Sequence, residues 1–263
     1  MKSPVVMGIV NVTPDSFSDG GVHFDRGVAI ESALRMAEEG AAIVDVGGES
    51  TRPGAAAISV DEELGRVIPV IEGIRAKSDV TISIDTRNAV TARAAFAAGA
   101  NILNDVTALQ HDPEILAVAV EVNAPVILMH MRGTPATMQS LAKYDDVIDD
   151  VLRELAPPVE RARHAGLDQV FIDPGIGFAK TFEHNLEILA RCEELAQVAP
   201  FVIGASRKKF IGHLTGREGG ERVHGSLAAV AAAALGGAAI VRVHDVRETV
   251  DFLKVFTAIE AAR

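Results

Sequence analysis

The sequence predicts an α/β protein, a single (β/α)8 TIM barrel that spans residues 1–263. Three observations favour this fold. Short β-branched runs alternate with longer stretches of helical periodicity, and eight such pairs follow one another. No Pro/Gly-rich linker separates any two of them, and a chain of 263 residues is close to the usual size of this barrel. A doubly wound open sheet is the alternative, because a sequence does not show directly whether a sheet closes.

The composition limits the partners that the protein can have. Hydrophobic residues make up 48% of the chain, with no Trp and one Tyr, which is typical of parallel sheets covered by helices. The 36 acidic and 25 basic residues give a net charge of -11, which argues against nucleic acid or an anionic membrane as a partner. An anionic small substrate would therefore need a local basic pocket.

The cysteine content and the amino-terminal residues indicate the cellular compartment of the protein. The single cysteine, Cys192, excludes internal disulfides and cysteine-based metal sites, and we expect it to be a core thiol. The opening "MKSPVVMGIVNV" is too short an apolar run for a signal peptide, and no later stretch forms an uncharged membrane span. We therefore expect a cytoplasmic protein.

The eight predicted strands contain, in chain order, "VVMGIVNV", "AIVDVGG", "TISIDT", "NILNDV", "PVILMH", "VFIDPG", "FVIGAS" and "AIVRVH". Helices are predicted over about 25–39, 61–77, 88–98, 112–121, 145–165, 183–197, 221–236 and 246–262. Every strand ends in polar residues, as the active site of a barrel requires, whereas an open sheet gathers such residues at one crevice.

The loops after the first two strands carry candidate ligand-binding residues. Asn11 closes the first strand, and its neutral oxygen suits a hard cation such as Mg²⁺. The loop "NVTPDSFSDGG" that follows contains Asp19, and we interpret it as a lid that excludes water, with an ordinary turn as the alternative. In "GGESTRPGA", Thr51 and Arg52 present a hydroxyl and a guanidinium to a ligand.

The third, fourth, sixth and seventh strands supply groups that suit a heterocycle. Asp85 and Asn104 follow apolar runs, although either could cap the next helix. Asp173 in "IDPGIGF" is a bidentate acceptor for a guanidine-like N–H edge, and Phe178 supplies an apolar wall. In "GASRKKF" we expect one lysine to enter the barrel mouth, where it would polarise a bound carbonyl.

The eighth strand, "AAIVRVHDV", places Arg242 and His244 on one face, as two cations that require an anion. The alternative to a bound anion is a structural ion pair with Asp245. Together with Asn11, Arg52 and a lysine, these residues favour a diphosphate, with Mg²⁺, over a single carboxylate. The predicted chemistry is displacement of diphosphate from an activated heteroaromatic alcohol, promoted by positioning and by neutralising the leaving group.

Seven segments in order, spread over essentially the whole chain, resemble the dihydropteroate synthase family: "MGIVNVTPDSFSDGG", "GGESTRPGA", "ISIDTR", "NILNDV", "DPGIGF", "GASRKKFIG" and "VRVHDV". The resemblance implies a (β/α)8 transferase of folate biosynthesis. It would join 6-hydroxymethyl-7,8-dihydropterin diphosphate to p-aminobenzoate, giving 7,8-dihydropteroate and pyrophosphate in an SN1-like reaction. The resemblance also implies competition by sulfonamides and a homodimer. The Ala-rich segment 226–238 is apolar enough for close helix packing, either within the barrel wall or across a symmetric dimer.

The resemblance also implies roles for individual residues. The pterin would be held by Asp85, Asn104, Asp173 and Lys208, and the diphosphate with Mg²⁺ by Asn11, Arg242 and His244. Thr51, Arg52 and Phe178 would border the p-aminobenzoate site, and Asp19 would lie in the closing loop. The catalytic residues would be Asp85, Lys208, Arg242, His244 and Asp19. The sequence departs from many relatives at Arg132, where a glutamine is common, and at Lys209, where a small residue is common.

Two other functions compete with this one. A catalytically silent paralogue would bind pterin without making pteroate, but it would be expected to lose the mobile loop or Arg242 and His244 first. A pterin-binding module of a corrinoid methyltransferase would share the barrel, but it would have no use for a diphosphate site.

Overall fold

The computed structural model describes residues 2–13, 26–50 and 57–263. In these ranges the strands are β1 (Val5–Asn11), β2 (Ile43–Gly47), β3 (Thr81–Asp85), β4 (Ile102–Asp105), β5 (Val126–Met129), β6 (Val170–Asp173), β7 (Val202–Ile203) and β8 (Ile240–Val243). The helices are α1 (Arg26–Glu38), α2 (Val60–Arg75), α3 (Ala89–Ala97), α4 (Ile115–Glu121), α5 (Val147–His164), α6 (Phe182–Ala190), α7 (Lys209–Thr215), α8 (Val223–Leu235) and α9 (Val246–Ala261). None of these helices is both long enough and apolar enough to cross a membrane.

The strands close into a barrel. They pair in parallel in the order β6-β5-β4-β3-β2-β1-β8-β7. The two ends of this order meet where Ile172 of β6 forms a parallel bridge with Phe201, just before β7. The backbone N–H of Ile172 also donates to the carbonyl of Pro200 at 3.0 Å. The predicted (β/α)8 barrel is confirmed, and the open sheet is excluded by this closure.

The predicted helices agree with the structure except around the seventh strand. The segment predicted as one helix over 183–197 is split, because Arg191 leaves the helical conformation at φ -122 and a short 3-10 turn, Cys192–Gln197, follows. Helix α7 was not predicted, because its seven residues are too few to show an amphipathic period. It ends at Gly216, whose φ of 68 is the left-handed conformation that glycine adopts readily.

The barrel interior has an apolar floor and a polar layer above it. The floor is a buried cluster of one residue from each of six strands: Met7, Ile43, Ile102, Ile127, Val202 and Ile240. Side chains two positions apart on a strand share a face, so the next inward positions are Ile9, Asp45, Asn104, Met129, Gly204 and Arg242. The outward strand residues, such as Val44, Ile82 and Leu103, pack in a separate buried core with the helices. Strand alternation therefore carries polar groups to the carboxyl ends of the strands, where barrel active sites lie.

Candidate active site

One buried carboxylate joins three strands at the centre of the polar layer. Arg242 on β8 donates through Nε to Oδ2 of Asp45 on β2 at 2.6 Å, and through Nη2 to Oδ2 of Asp85 on β3 at 2.9 Å. Asn104 on β4 donates through Nδ2 to the same Oδ2 of Asp45 at 3.2 Å. Asp45 is fully buried, so the Arg242 guanidinium is its compensating charge.

Burial and crowding of charge perturb the acids and the base of this cluster. Burial and the nearby charge of Asp45 together raise the pKa of Asp85 to about 7, and Arg242 partly opposes both. Burial by itself would lower the pKa of Arg242, but Asp45 and Asp85 outweigh it and raise that pKa above its ordinary value. Arg242 therefore stays charged, whereas Asp85 exchanges a proton near neutral pH.

The opposite wall of the cavity pairs an acid with a lysine. Burial raises the pKa of Asp173, although the backbone N–H of Gly175, 2.7 Å from Oδ1, and the charge of Lys208 oppose this. Burial lowers the pKa of Lys208 to about 8, with Asp173 opposing. The ammonium of Lys208 lies 4.4 Å from the ring centroid of Phe178, within the range of a cation–π interaction.

A glycine turn fixes this wall. The backbone N–H of His130, just after β5, donates to the carbonyl of Asp173 at 2.8 Å. Gly175 has a φ of +71, and a Cβ there would lie 2.1 Å from the carbonyl oxygen of His130. Only glycine fits such an approach, which explains the Pro-Gly step after Asp173.

Arg242 and His244 do not form the pair of cations that the sequence suggested. Burial lowers the pKa of His244 to about 3, and the charges of Arg207 and Arg242 add to this, so its imidazole is neutral. Its Nδ1 lies 3.1 Å from Oγ of Ser206. Asp245, the alternative partner for Arg242, instead accepts from Nε of Arg207 at 3.1 Å.

The structure separates the three consecutive cations after β7. Arg207 adopts a positive φ of 57 and pairs with Asp245. Lys208 lines the central cavity, and Lys209 is exposed at the start of α7. One lysine therefore enters the barrel mouth, as predicted.

Five of the predicted site residues with charged or amide side chains come together around one cavity. These residues are Asp85, Asn104, Asp173, Lys208 and Arg242, and the wall is completed by Phe178, Val106, Met129, Ile176 and Gly204. Asn11 ends β1, half-buried, in register with Gly47 of β2, and is not among the residues that line this cavity. Asp19, Thr51 and Arg52 lie outside the described residues.

Sequence reasoning missed Asp45. The signal was present, because Asp45 lies in the apolar run "IVDVGG" two residues after Ile43 and therefore on the same inward face. An acid at such a position is costly to bury without a cation on a neighbouring strand.

Sequence reasoning also missed a buried chain of hydrogen bonds behind Phe178. Hydrogen bonds from His130 and Arg132 outweigh burial and hold the pKa of Glu154 at about 2, so its ionised carboxylate only accepts. His130 therefore carries its proton on Nε2, 2.9 Å from Glu154, and its Nδ1 accepts from Nζ of Lys180 at 2.9 Å. Lys180 also donates to the carbonyl of Phe178 at 3.0 Å. This chain fixes the backbone that presents Phe178 to the cavity.

Arg132 lies at the outer end of that chain. Its Nε donates to Glu154 at 3.1 Å, its Nη2 donates to Asp150 at 3.2 Å, and its guanidinium lies 3.9 Å from the ring centroid of Tyr144. Arg132 and Glu154 also line a separate cleft of about 620 Å³. Because these charges already neutralise one another, we place the active site in the central cavity instead.

The cavity offers a specific pattern of donors and acceptors. Asp85 and Asp173 present carboxylate oxygens, Asn104 an amide and Lys208 a donor, around a space walled by apolar side chains. Such a set suits a planar heterocycle with an N–H edge and a carbonyl.

The residues at the barrel mouth are compatible with Mg²⁺. In the described ranges, no group of three or more His, Cys, Asp or Glu side chains is arranged to hold a metal ion. Mg²⁺, however, is commonly bound through one or two protein oxygens, with substrate phosphates and water completing its shell. The half-buried amide of Asn11 at the end of β1 is a donor of this kind.

Comparison with known proteins agrees with this geometry. Residues 7–244 match the family described as "Pterin binding enzyme". A dihydropteroate synthase from Synechocystis sp. is 48% identical over 262 residues, which cover 98% of this chain and 91% of that protein. Dihydropteroate synthase from Xanthomonas albilineans in complex with 7,8-dihydropteroate superposes with a TM-score of 0.89 at 46% identity, covering 98% of this chain and 94% of that one. The Yersinia pestis enzyme in complex with a sulfonamide drug has a TM-score of 0.93 at 44% identity, covering 98% and 95%.

Proposed function

The chain belongs to the dihydropteroate synthase family of transferases, and we propose that it joins 6-hydroxymethyl-7,8-dihydropterin diphosphate to p-aminobenzoate, giving 7,8-dihydropteroate and pyrophosphate. We assign this function to residues 1–263 as a single pterin-binding barrel domain. The observation that carries the proposal is the convergence of Asp85, Asn104, Asp173, Lys208 and Arg242 on one cavity above the apolar floor.

The pterin ring binds among Asp85, Asn104, Asp173 and Lys208 in this proposal. Asp173 accepts from the guanidine-like N–H edge of the ring, and Lys208 donates to its carbonyl. Support comes from the fixed carboxylate of Asp173, held by Gly175, and from the short distance between Lys208 and Phe178, which places the ammonium over an apolar wall.

The diphosphate binds on the side of Arg242, His244 and Asn11. Nε and Nη2 of Arg242 donate to Asp45 and Asp85, which leaves Nη1 to donate to an incoming phosphate oxygen in this proposal. The neutral His244 donates a hydrogen bond rather than a charge. Asn11 would supply the protein oxygen that holds Mg²⁺, and the bound ion would neutralise charge on the diphosphate.

The C–O bond to the diphosphate breaks with its electron pair on the leaving group, and the ionised Asp85 stabilises the positive charge left on the pterin methylene. The arylamine nitrogen then forms the new C–N bond and loses its proton to solvent. Phe178, Thr51 and Arg52 border the p-aminobenzoate site, which sulfonamides share, and Asp19 lies in the loop that closes over it. Phe178 supports this assignment because its ring lines the cavity and its backbone carbonyl is held by Lys180.

Product formation from the two substrates tests the function directly. Dihydropteroate should appear with Mg²⁺ and should stop when a chelator is added. Tight binding of the pterin without product would instead indicate the silent paralogue. Methyl transfer from methyltetrahydrofolate to cobalamin would indicate the corrinoid methyltransferase module.

We further propose a homodimer in the cytoplasm. Leu235 of α8 and Val255 and Ile259 of α9 are each more than half exposed, which supports an interface on these adjoining helices. Light scattering should give twice the 27.7 kDa chain mass, and a monodisperse monomer would contradict the dimer.

The chain has a single cysteine and therefore needs no oxidising compartment, so we expect it in the cytoplasmic fraction of cells.

A further inference from the structure

We propose that Asp45 is a positioning residue, which fixes Arg242 and Asn104 in the geometry that binds the pterin diphosphate, an inference that rests on the proposed function. Asp45 does not line the cavity and is fully buried beneath it. It acts through the two residues that its carboxylate holds.

The carboxylate of Asp45 spans the barrel interior. Its Oδ2 accepts from Arg242 on β8 at 2.6 Å and from Asn104 on β4 at 3.2 Å. In the barrel, β1 separates β2 from β8, and β3 separates β2 from β4. One oxygen atom therefore fixes the relative positions of two ligand-binding side chains from opposite sides of Asp45.

Asp45 also decides which way the amide of Asn104 faces. An ionised carboxylate only accepts hydrogen bonds, so Nδ2 of Asn104 must point towards Asp45. Oδ1 is then directed away from Asp45 as an acceptor for an N–H of the heterocycle. Without the carboxylate, the amide could rotate and present a donor where an acceptor is needed.

The charge of Asp45 acts on Asp85 as well. The charged groups around Asp85 include Asp45 on β2, Arg242 on β8, Glu63 on α2, Asp105 on β4 and Lys208 after β7. Arg242 lowers the pKa of Asp85, whereas burial and each of the three acids raise it. Removing the charge of Asp45 should therefore make Asp85 ionise at a lower pH.

Ser83 offers a matched control for Asp45. It lies on β3 in register with Asp45, is equally buried, and its hydroxyl makes no hydrogen bond among the described residues. Asp45→Asn and Ser83→Ala therefore change neighbouring buried polar groups at the same depth, but only the first removes the negative charge that pairs with Arg242.

The test compares these variants by calorimetric binding of dihydropterin diphosphate and by turnover across pH. We expect Asp45→Asn to weaken pterin diphosphate binding about 10-fold to 100-fold, in line with the loss of a charged hydrogen-bond partner, and to leave the KM for p-aminobenzoate unchanged. The acidic limb of its turnover profile should move down by roughly one pH unit. Ser83→Ala should behave as wild type in all three measurements.

Equal behaviour of Asp45→Asn and Ser83→Ala would overturn the role of Asp45. A wild-type protein that neither binds dihydropterin diphosphate nor forms product would instead overturn the proposed function. If Asp45→Asn does not fold, Asp45→Ser, which places a second small hydroxyl beside Ser83, carries the same expectations.

A measurement without any substitution gives a further check. In ¹⁵N spectra of the wild-type protein, the Nε–H of Arg242 should exchange slowly with solvent, both free and with dihydropterin diphosphate bound. Rapid exchange in the free protein would show that Asp45 does not hold the guanidinium, and would contradict the inference.

Discussion

Replacing Asp85 by Asn should remove a pH dependence of stability that this one carboxyl group creates. Its pKa is raised from 3.8 to about 7, so between these values the folded protein binds more protons than the unfolded chain. Stability therefore falls as pH rises through this range, and the loss is complete above the folded pKa. For a single group with these two values, the free energy of unfolding falls by about 2 kcal/mol between about pH 5.5 and about pH 8.5.

Urea denaturation of wild type and Asp85→Asn at a series of pH values measures this effect. The variant keeps an amide oxygen to accept from Arg242, so the geometry of the cluster is conserved. Its stability relative to wild type should rise by about 2 kcal/mol over the stated range, while turnover is lost. The raised pKa values of Asp173 and Asp105 are present in both proteins and cancel in the difference.

The exposed Asp168, which lies before β6, provides the control for Asp85. Asp168→Asn should follow wild type across the range. A stability difference between Asp85→Asn and wild type that stays constant with pH, or that falls as pH rises, would refute the assignment of the proton to Asp85.

Three further substitutions test the rest of the site. Lys208→Met should weaken the binding of dihydropterin, measured by calorimetry, about 10-fold to 100-fold while the protein stays folded. Lys209→Met, at an exposed position, should bind dihydropterin as the wild type does. Equal losses of affinity in the two variants would contradict the placement of Lys208. Arg242→Ala should lower the free energy of unfolding by about 3–5 kcal/mol, because it leaves Asp45 buried without its cation. The same variant should lose tight binding of dihydropterin diphosphate. Unchanged affinity would show that the diphosphate lies elsewhere. Arg132→Gln should lower stability by about 1–3 kcal/mol in urea denaturation and leave pterin affinity unchanged, since its partners lie outside the cavity.

The barrel and most of the residues that line the central cavity could be predicted because both depend on short-range patterns. Alternation along a strand is a local property, so polar residues such as Asp85, Asn104 and Asp173 could be assigned to the strand ends without knowledge of the fold. The same rule would have identified Asp45, but its place in the middle of an apolar run, rather than at the end, concealed it.

Contacts between distant segments could not be predicted in this way. The hydrogen bond from Lys180 to His130 joins residues 50 positions apart, and no local pattern encodes it. The assignment of Arg207, Lys208 and Lys209 also escaped prediction, because it depends on the positive φ of Arg207 and on Asp245, which lies 38 residues away.

Charge in the cavity sets opposite requirements for binding and for chemistry. Within the described part of the chain, two cations, Arg242 and Lys208, face Asp45, Asp85 and Asp173 in the cavity, since the nearby His244 is neutral. With the proposed function, the ionised Asp85 would repel a diphosphate entering this site, whereas it would stabilise the pterin methylene cation formed later. Because the pKa of Asp85 is about 7, lowering the pH through that value should tighten the binding of dihydropterin diphosphate and slow turnover.

Mg²⁺ would relieve the same repulsion without protonating Asp85. We therefore expect chelation to weaken dihydropterin diphosphate binding more at about pH 8, where Asp85 is ionised, than at about pH 6, where it carries a proton. Calorimetry with and without Mg²⁺ at both pH values, repeated with Asp85→Asn, isolates the effect of this carboxyl group. The variant should show a smaller difference between the two pH values. If chelation costs wild type and variant the same affinity at both, the metal does not offset the charge of Asp85.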